Sequence, residues 1–401
     1  LYFTIMMIKK SKLTLSLLTA LCFCACNNTN KSKDLALDTA INKEHNILVE
    51  NPYKVEFDEL SNSYIEKQRK EVEEFYRNNI KTGDYTGSFL VAKNGKIIYE
   101  DYSGVYDRTG KKEITSDTPL HVASVGKVIT ATTVLRLVDQ GKISLDQSVS
   151  EIIPRFPYKE ITVRTLLSHR SGLRYYGYYD NVWDRTKTIT NSDVIKVIEE
   201  QTVALDFKPN TRFAYSNTNY VVLAEIVERV TQKPFKKAVA ELIFEPLGMT
   251  NSFVFDDINN KNKVSQSFTS KMRLMDWDYM DGTYGDKNIF TTPRDFLKFD
   301  TAMYSDAFLS KKVKDQIYQG YSFENPGIRN YGLGIRLIEM QNGKFYTYHN
   351  GWWRGNTSSY IRLAKDNTCI ILFSNKYSRT TYKTISLSHH FGDYPVGDIE
   401  L

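Results

Sequence analysis

Strand-like runs stand near both ends of this chain and helical patterns fill its middle. That order constrains the fold more than any other feature of the sequence. In SFLVAKNGKIIYEDYSGV (88–105), two β-favouring runs flank Asn94-Gly95, the pair that favours a two-residue hairpin turn. Far along the chain, GKFYTYHN (343–350), TSSYIRLA (357–364) and TCIILFSN (368–375) follow one another closely. Between these ends, NSDVIKVIEEQ (191–201), NTNYVVLAEIVERVTQ (217–232) and FKKAVAELIFEPLG (235–248) carry apolar residues at helical spacing. One sheet assembled from both ends of the chain, with a mainly helical region inserted into it, satisfies this order. A charged amphipathic stretch, FDELSNSYIEKQRKEVEEFYRNNI (57–80), reads as a helix ahead of the first strand.

The 53 basic and 47 acidic residues are dispersed. No Lys/Arg block interleaves with aromatics, so nucleic acid is not an expected partner. The N-terminal stretch is more specific. Met7-Ile8-Lys9-Lys10-Ser11-Lys12 is a basic n-region and Leu13 to Ala25 a short apolar one, followed by Cys26 and a polar run. About thirteen apolar residues are too few for a spanning helix, which needs about twenty, and the pattern is that of a secretory signal. Ala25-Cys26 resembles a bacterial lipoprotein signal, although Phe23 and Cys24 depart from its usual residues. The expectation is a signal peptide over 1–26 with Cys26 lipidated, a polar tether over 27–54 and one folded domain over 55–395. The protein would be exported to the bacterial cell envelope and held to the membrane by its lipid anchor. Residues 1–5 precede Met6 and Met7 and read as an upstream mis-start.

Of the four cysteines, Cys22, Cys24 and Cys26 fall in or at the end of this signal, leaving Cys369 in the body. One cysteine forms no internal disulfide. Cys369 lies in an apolar run and reads as a small buried hydrophobe.

The chemistry gathers in HVASVGKVITATTVLRLVDQGKIS (121–144), a helical pattern from Ser124 to about Gln140, ended by Gly141. Ser124 and Lys127, at i and i+3, share one face, and Ser124 sits at the helix N-terminus, where N–H groups favour a developing anion. A Ser hydroxyl needs a base, and a desolvated Lys can supply one. A Ser-x-x-Lys match alone is weak, because roughly one or two arise by chance in a chain this long. Two later motifs change its weight: Tyr215-Ser216-Asn217 and His349-Asn350-Gly351.

Ser-x-x-Lys, then Tyr-x-Asn, then His-x-Gly, in that order, resembles the serine β-lactamase and penicillin-binding-protein superfamily. The pattern is nearest that of class C β-lactamases, DD-peptidases and related esterases. Leu166-Leu167-Ser168-His169-Arg170-Ser171-Gly172-Leu173, Pro246-Leu247-Gly248-Met249, Tyr331-Gly332-Leu333-Gly334 and Asp146-Gln147-Ser148-Val149-Ser150 extend the resemblance over about residues 85–376. It implies an α/β (α+β) fold of the β-lactamase/transpeptidase type, with an antiparallel sheet flanked by helices, an inserted helical subdomain and a C-terminal helix packed on the sheet. Two further matches are set aside. Lys81-Thr82-Gly83 precedes Ser124, the wrong order, and Tyr179-Asp180-Asn181 lacks the Phe-x-Tyr-Ser-Asn setting. There is no Gly-x-Ser-x-Gly elbow, metal-spaced cluster or cofactor fingerprint, so neither metal nor cofactor is expected.

The resemblance assigns roles. Ser124 attacks, Lys127 takes or relays its proton, and Tyr215 shuttles it to the leaving group. Asn217 orients the substrate or holds Lys127. The backbone N–H groups of Ser124 and of Trp352, just past Gly351, form the oxyanion hole. His349 stands where many β-lactamases carry Lys. As a cation it would favour a Tyr215 phenolate and attract a carboxylate, and it would put an inflection near pH 6.5 in the rate profile. Trp352 and Trp353 read equally as a stacking wall for substrate or as sheet packing. Tyr175, Tyr176, Tyr178, Tyr179 and Trp183 read as loop packing or a cleft lining. Arg354 is a carboxylate fork or a solvated surface residue, and the His169 segment closes a helix against the floor of the site. The expected activity is serine hydrolysis of an amide or ester through an acyl-enzyme. The partner is a small-molecule or peptide substrate, such as a peptidoglycan fragment. A non-catalytic or slowly acylating envelope peptide-binding or sensor module and a β-lactamase are the alternatives.

Overall fold

Asn94 and Gly95 both adopt left-handed φ (50° and 70°), the backbone a two-residue hairpin turn demands, and they join β1 (Gly87–Lys93) to β2 (Lys96–Ser103). This computed structural model describes residues 52–394, save Asp84, Thr202, Pro326, Ile328 and Gln341. The expected signal, Cys26 and most of the tether lie outside the described residues.

The sheet is antiparallel and seven-stranded, in the order β2-β1-β12-β11-β10-β9-β8. Its C-terminal strands are β8 (Arg329–Tyr331), β9 (Arg336–Glu339), β10 (Phe345–Trp353), β11 (Asn356–Leu363) and β12 (Thr368–Ser374). β1 pairs with β12, Val91 opposite Ile370, so the two ends of the chain meet in the middle of one sheet. Side chains alternate between its faces. Leu90, Tyr360, Cys369, Ile371 and Phe373 join the core under the helical region. Phe89, Val91, Tyr348, Ile361, Ile370 and Leu372 face the other way.

The second face is covered by α1 (Asn62–Asn79), capped by Ser61, whose hydroxyl accepts the Tyr64 N–H. Tyr76 of α1 stacks on Phe89 with centroids 4.5 Å apart. Beside it Lys81 pairs with Asp101 at 2.9 Å, so the Lys81-Thr82-Gly83 match is a structural ion pair. Residues Arg379–His390 cover the rest of this face as a 3-10 segment where the resemblance implied a helix.

Between β2 and β8 run β3 (Leu120–His121), α2 (Gly126–Asp139), α3 (Val149–Ile152), α4 (Val163–Leu167), α5 (Asn191–Glu199), α6 (Thr218–Thr231), α7 (Phe235–Val239), β4 (Phe253–Val254), β5 (Ser267–Phe268), β6 (Leu274–Met275), β7 (Ile289–Thr291), α8 (Pro293–Ala302) and α9 (Lys311–Ile317). α2 is central and buried almost all round, with Val128, Ile129, Ala131, Val134, Leu135 and Leu137 buried together with the polar Lys127, Thr130, Thr132 and Thr133. Among the described residues, no helix is long and apolar enough to cross a membrane.

Candidate active site

α2 begins with a strained entry. A 3-10 turn, Ala123–Val125, precedes it, and Ala123 has φ +47°. The strain falls one residue before Ser124 and is held from several sides. Val122 N–H donates to the Ile289 carbonyl at 3.0 Å. The Val122 carbonyl accepts from Ser358 Oγ at 2.6 Å. Ser124 is half-buried, so its hydroxyl can meet a substrate.

Lys127, one turn on, is wholly buried. Its Nζ donates to Ser124 Oγ at 3.1 Å and to the Asp286 carbonyl at 2.6 Å. It also lies 5.2 Å from the Tyr215 ring centre and 5.6 Å from that of Tyr220. Asn217 makes no hydrogen bond to Lys127, and its buried Oδ1 has no hydrogen-bond partner among the described residues. Of its two expected roles, holding Lys127 is therefore not met. Tyr215 Oη is buried and likewise unpartnered. Substrate-orienting groups left open in this way are what a ligand can complete.

His349 corrects an expectation. It lies on β10, fully buried, with Nδ1 2.8 Å from the Asn350 carbonyl and Nε2 3.1 Å from Tyr331 Oη. A carbonyl only accepts, so Nδ1 carries the proton and Nε2 accepts the Tyr331 O–H. Burial, then Arg336 and Lys127, pushes its pKa well below the ordinary 6.5. His349 is thus neutral and cannot supply the expected cation. Arg336 is the fixed positive charge at Tyr215, its guanidinium 5.1 Å from the ring centre, and Lys127 Nζ lies 5.2 Å from the same ring.

Gly351 lies against the nucleophile's turn. A Cβ there would fall 2.2 Å from Ser358 Oγ, 2.7 Å from the Val122 carbonyl and 2.9 Å from Ser124 N. Glycine is what lets strand and turn touch. The side chain of the next residue, Trp352, turns to the opposite face. It pairs in register with Thr357, whose hydroxyl meets Thr381 of the C-terminal segment, and its ring tilts on Tyr377. The stacking-wall reading of Trp352 is therefore replaced by an exposed position on the far side of the sheet. Trp353 has the cleft-side parity: its indole N–H donates to Asp281 Oδ1 at 2.5 Å, and Lys287 Nζ lies 4.6 Å from its ring.

Arg354 is neither a free fork nor a surface residue. It is buried and paired with Asp281 at 3.2 Å. The aromatic loop is mostly packing. Tyr176 is buried, its hydroxyl donating to Asp286 Oδ2 at 2.7 Å, Tyr179 stacks on Trp183, and Tyr178 is exposed. Tyr179 Oη donates to the Arg174 carbonyl at 3.3 Å, whereas the rings beside Lys127 are those of Tyr215 and Tyr220. His169 does more than close a helix. Its Nδ1 accepts from Ser216 N–H at 3.2 Å and Asn219 Nδ2 at 3.0 Å, and its ring lies 4.2 Å from that of Tyr215.

Several contributors escaped the sequence reading: His121, Asp281, Asp286, Lys287, Asn288 and Arg336. The available signal was polar residues at the mouths of apolar runs, His121 before Val122-Ala123 and Asp286-Lys287-Asn288 before Ile289-Phe290. Among the described residues no His/Cys/Asp/Glu group is arranged to hold a metal ion.

The family model described as Beta-lactamase matches residues 76–385. Penicillin-binding protein 4* of Bacillus subtilis (strain 168) is 27% identical over 334 residues, covering 79% of this chain and 74% of that one. Teichoic acid D-alanine hydrolase of Staphylococcus aureus (strain MRSA252) is 24% identical over 328 residues, 79% of each. The crystal structure of a penicillin binding protein from Bacillus halodurans superposes with a TM-score of 0.67 at 19% identity, over 82% of this chain and 99% of that one.

Proposed function

The chain belongs to the Beta-lactamase family as a serine hydrolase, and from that premise we propose that it cleaves an amide or ester at a D-amino acid of a cell-envelope peptide or polymer. The observation that carries the chemistry is Lys127 Nζ, sealed from solvent and 3.1 Å from the half-exposed Ser124 Oγ. Ser124 Oγ bonds to the acyl carbon as its proton passes to Lys127. The tetrahedral oxyanion is received by the N–H groups of Ser124 and Trp352. Collapse breaks the bond to the leaving nitrogen or oxygen, which takes the proton through Tyr215. Water then attacks the acyl-enzyme by the reverse relay.

The substrate class draws support from a cleft of about 820 Å³ that adjoins the site through Tyr331 and Arg336 rather than through Ser124, and whose charged lining is Arg212, Arg329, Arg336 and Glu324, the last paired with Arg170. Guanidinium forks suit a carboxylate, which a D-amino-acid peptide carries and a simple ester does not. The name of the Staphylococcus aureus relative, a D-alanine hydrolase, points the same way. Export and lipid attachment at Cys26 complete the proposal, supported by the Met7–Cys26 pattern. Loss of fatty-acid incorporation in Cys26→Ser is the result expected, and incorporation unchanged in that variant refutes lipidation.

The test is intact mass and peptide mapping after exposure to a fluorophosphonate and, separately, a fluorescent penicillin, with Ser124→Ala as control. Label on Ser124 from both is expected. Label from neither, in folded protein, replaces the hydrolase with an envelope binding module. Rapid turnover of the penicillin makes it a β-lactamase.

A further inference from the structure

The turn that presents Ser124 is gripped by a side chain with no part in the chemistry above. Ala123 N–H, at the residue of positive φ, donates to His121 Nδ1 at 3.1 Å. His121 is buried, and its Nε2 lies 3.1 Å from Asn288 Oδ1. Because Nδ1 accepts, the proton sits on Nε2 and is donated to Asn288. Asn288 cannot turn its amide round: its Nδ2 donates to the Asp281 carbonyl at 2.6 Å and the Thr283 carbonyl at 3.0 Å. Asn288 itself holds φ +65°, next to Ile289, whose carbonyl takes Val122 N–H. The loop from Asp281 to Asn288 therefore reaches the nucleophile twice, through Asn288–His121 to the turn and through the Asp286 carbonyl to Lys127.

We propose that His121 is a positioning residue which fixes the Val122–Ala123 peptide and with it the left-handed φ of Ala123, so that the following Ala123–Ser124 peptide points the Ser124 N–H, an unsatisfied donor of the first helical turn, at the oxyanion. The geometry leaves little slack. The Val122 carbonyl is taken by Ser358, Val122 N–H by Ile289, and Ala123 N–H by His121. Ser124 N–H, at the start of the 3-10 turn, has no acceptor within the helix and lies beside Gly351. Without the acceptor at Nδ1, Ala123 N–H is buried unpaired, and the strained φ relaxes most readily by rotating the Ala123–Ser124 peptide. That rotation carries the Ser124 donor off its target, where a displacement of about 1 Å is felt as a large loss of rate. The inference rests on Ser124 being the nucleophile.

The experiment compares the second-order rate of Ser124 labelling by a fluorophosphonate, and the hydrolysis of p-nitrophenyl acetate, in the full chain and three variants. His121→Phe keeps the ring and removes both nitrogens. His121→Asn restores an acceptor near the place of Nδ1. Asn288→Gly keeps the left-handed backbone and removes the brace. Labelling and kcat are expected to fall about 10- to 100-fold in His121→Phe, with KM within about threefold, and to recover to within about threefold of wild type in His121→Asn. Should His121→Phe not fold, a fall in Asn288→Gly carries the same meaning. Wild-type rates in folded His121→Phe, or in Asn288→Gly where the first does not fold, overturn the proposal. A parallel loss in His121→Phe and His121→Asn overturns it too, because an acceptor restored without recovery shows that the acceptor is not what matters. If wild type itself takes no label on Ser124, the hydrolase reading fails instead.

Discussion

Tyr331 donates its hydroxyl hydrogen to His349 Nε2 at 3.1 Å, and both residues are buried. With Nδ1–H committed to the Asn350 carbonyl, the neutral imidazole has one tautomer, and burial beside Arg336 and Lys127 disfavours a second proton on Nε2. The charge expected of the third motif resides instead on Arg336, on the neighbouring strand.

The rate profile should then lack an inflection near pH 6.5 due to His349, because burial, with Arg336 and Lys127 nearby, lowers its pKa well below that value. Fluorophosphonate labelling of Ser124 between pH 5.5 and 7.5 tests this. An inflection near 6.5 that disappears in His349→Gln refutes the neutral assignment.

Stability should fall on acidification. His121, His169 and His349 are buried, and each has its pKa lowered mainly by burial, His121 to about 3. Below about pH 6.5 the unfolded imidazoles take up protons that the folded ones refuse. The unfolded state then binds more protons, so stability is complete above about 6.5 and is lost as pH drops. The loss is about 1.4 kcal/mol per pH unit for each histidine. Urea unfolding at pH 7 and pH 5 should show a lower midpoint at pH 5, and a smaller difference in His121→Asn. Equal midpoints in the wild type contradict the burial of these rings.

Lys127→Arg should fold and lose more than about 1,000-fold in acylation. The guanidinium cannot give up its proton at working pH, so Ser124 has no base. Label transfer measured beside circular dichroism checks both halves, and acylation within tenfold of wild type removes Lys127 from the role of base.

Gly351→Ala should lower acylation by about 100-fold or more, because the added methyl drives strand and turn apart at the oxyanion position. Adding Ser358→Ala should not restore it, since the Val122 carbonyl and Ser124 N remain in the way. Recovery in the double variant would locate the clash at Ser358 alone.

The two tryptophans should separate. Trp352→Ala, on the exposed face, should shift stability by less than about 1 kcal/mol and leave acylation within about threefold. Trp353→Phe leaves buried Asp281 without its indole donor and should cost about 1–3 kcal/mol. Denaturant melts and labelling rates read both, and the reverse ranking contradicts the sheet parity.

The sequence by itself determined the parts whose meaning is local or ordered. Asn94-Gly95 specified its turn because left-handed backbone at two successive residues is a property of those side chains. Ser124 and Lys127 were legible because helical spacing brings i and i+3 together, and Tyr215, Asn217 and His349 because their order matched a known set. What depended on partners distant in the chain was decided only by the tertiary structure. The protonation of His349 is set by Tyr331, Arg336 and Lys127. The choice between Trp352 and Trp353 as the cleft-side ring followed from which face β11 and the C-terminal segment cover. The grip of His121 on the nucleophile's turn needs Asn288, 167 residues away. Periodicity and propensity act over a few residues, whereas burial, tautomer and sheet face are properties of the surroundings, which exist only once the chain has folded.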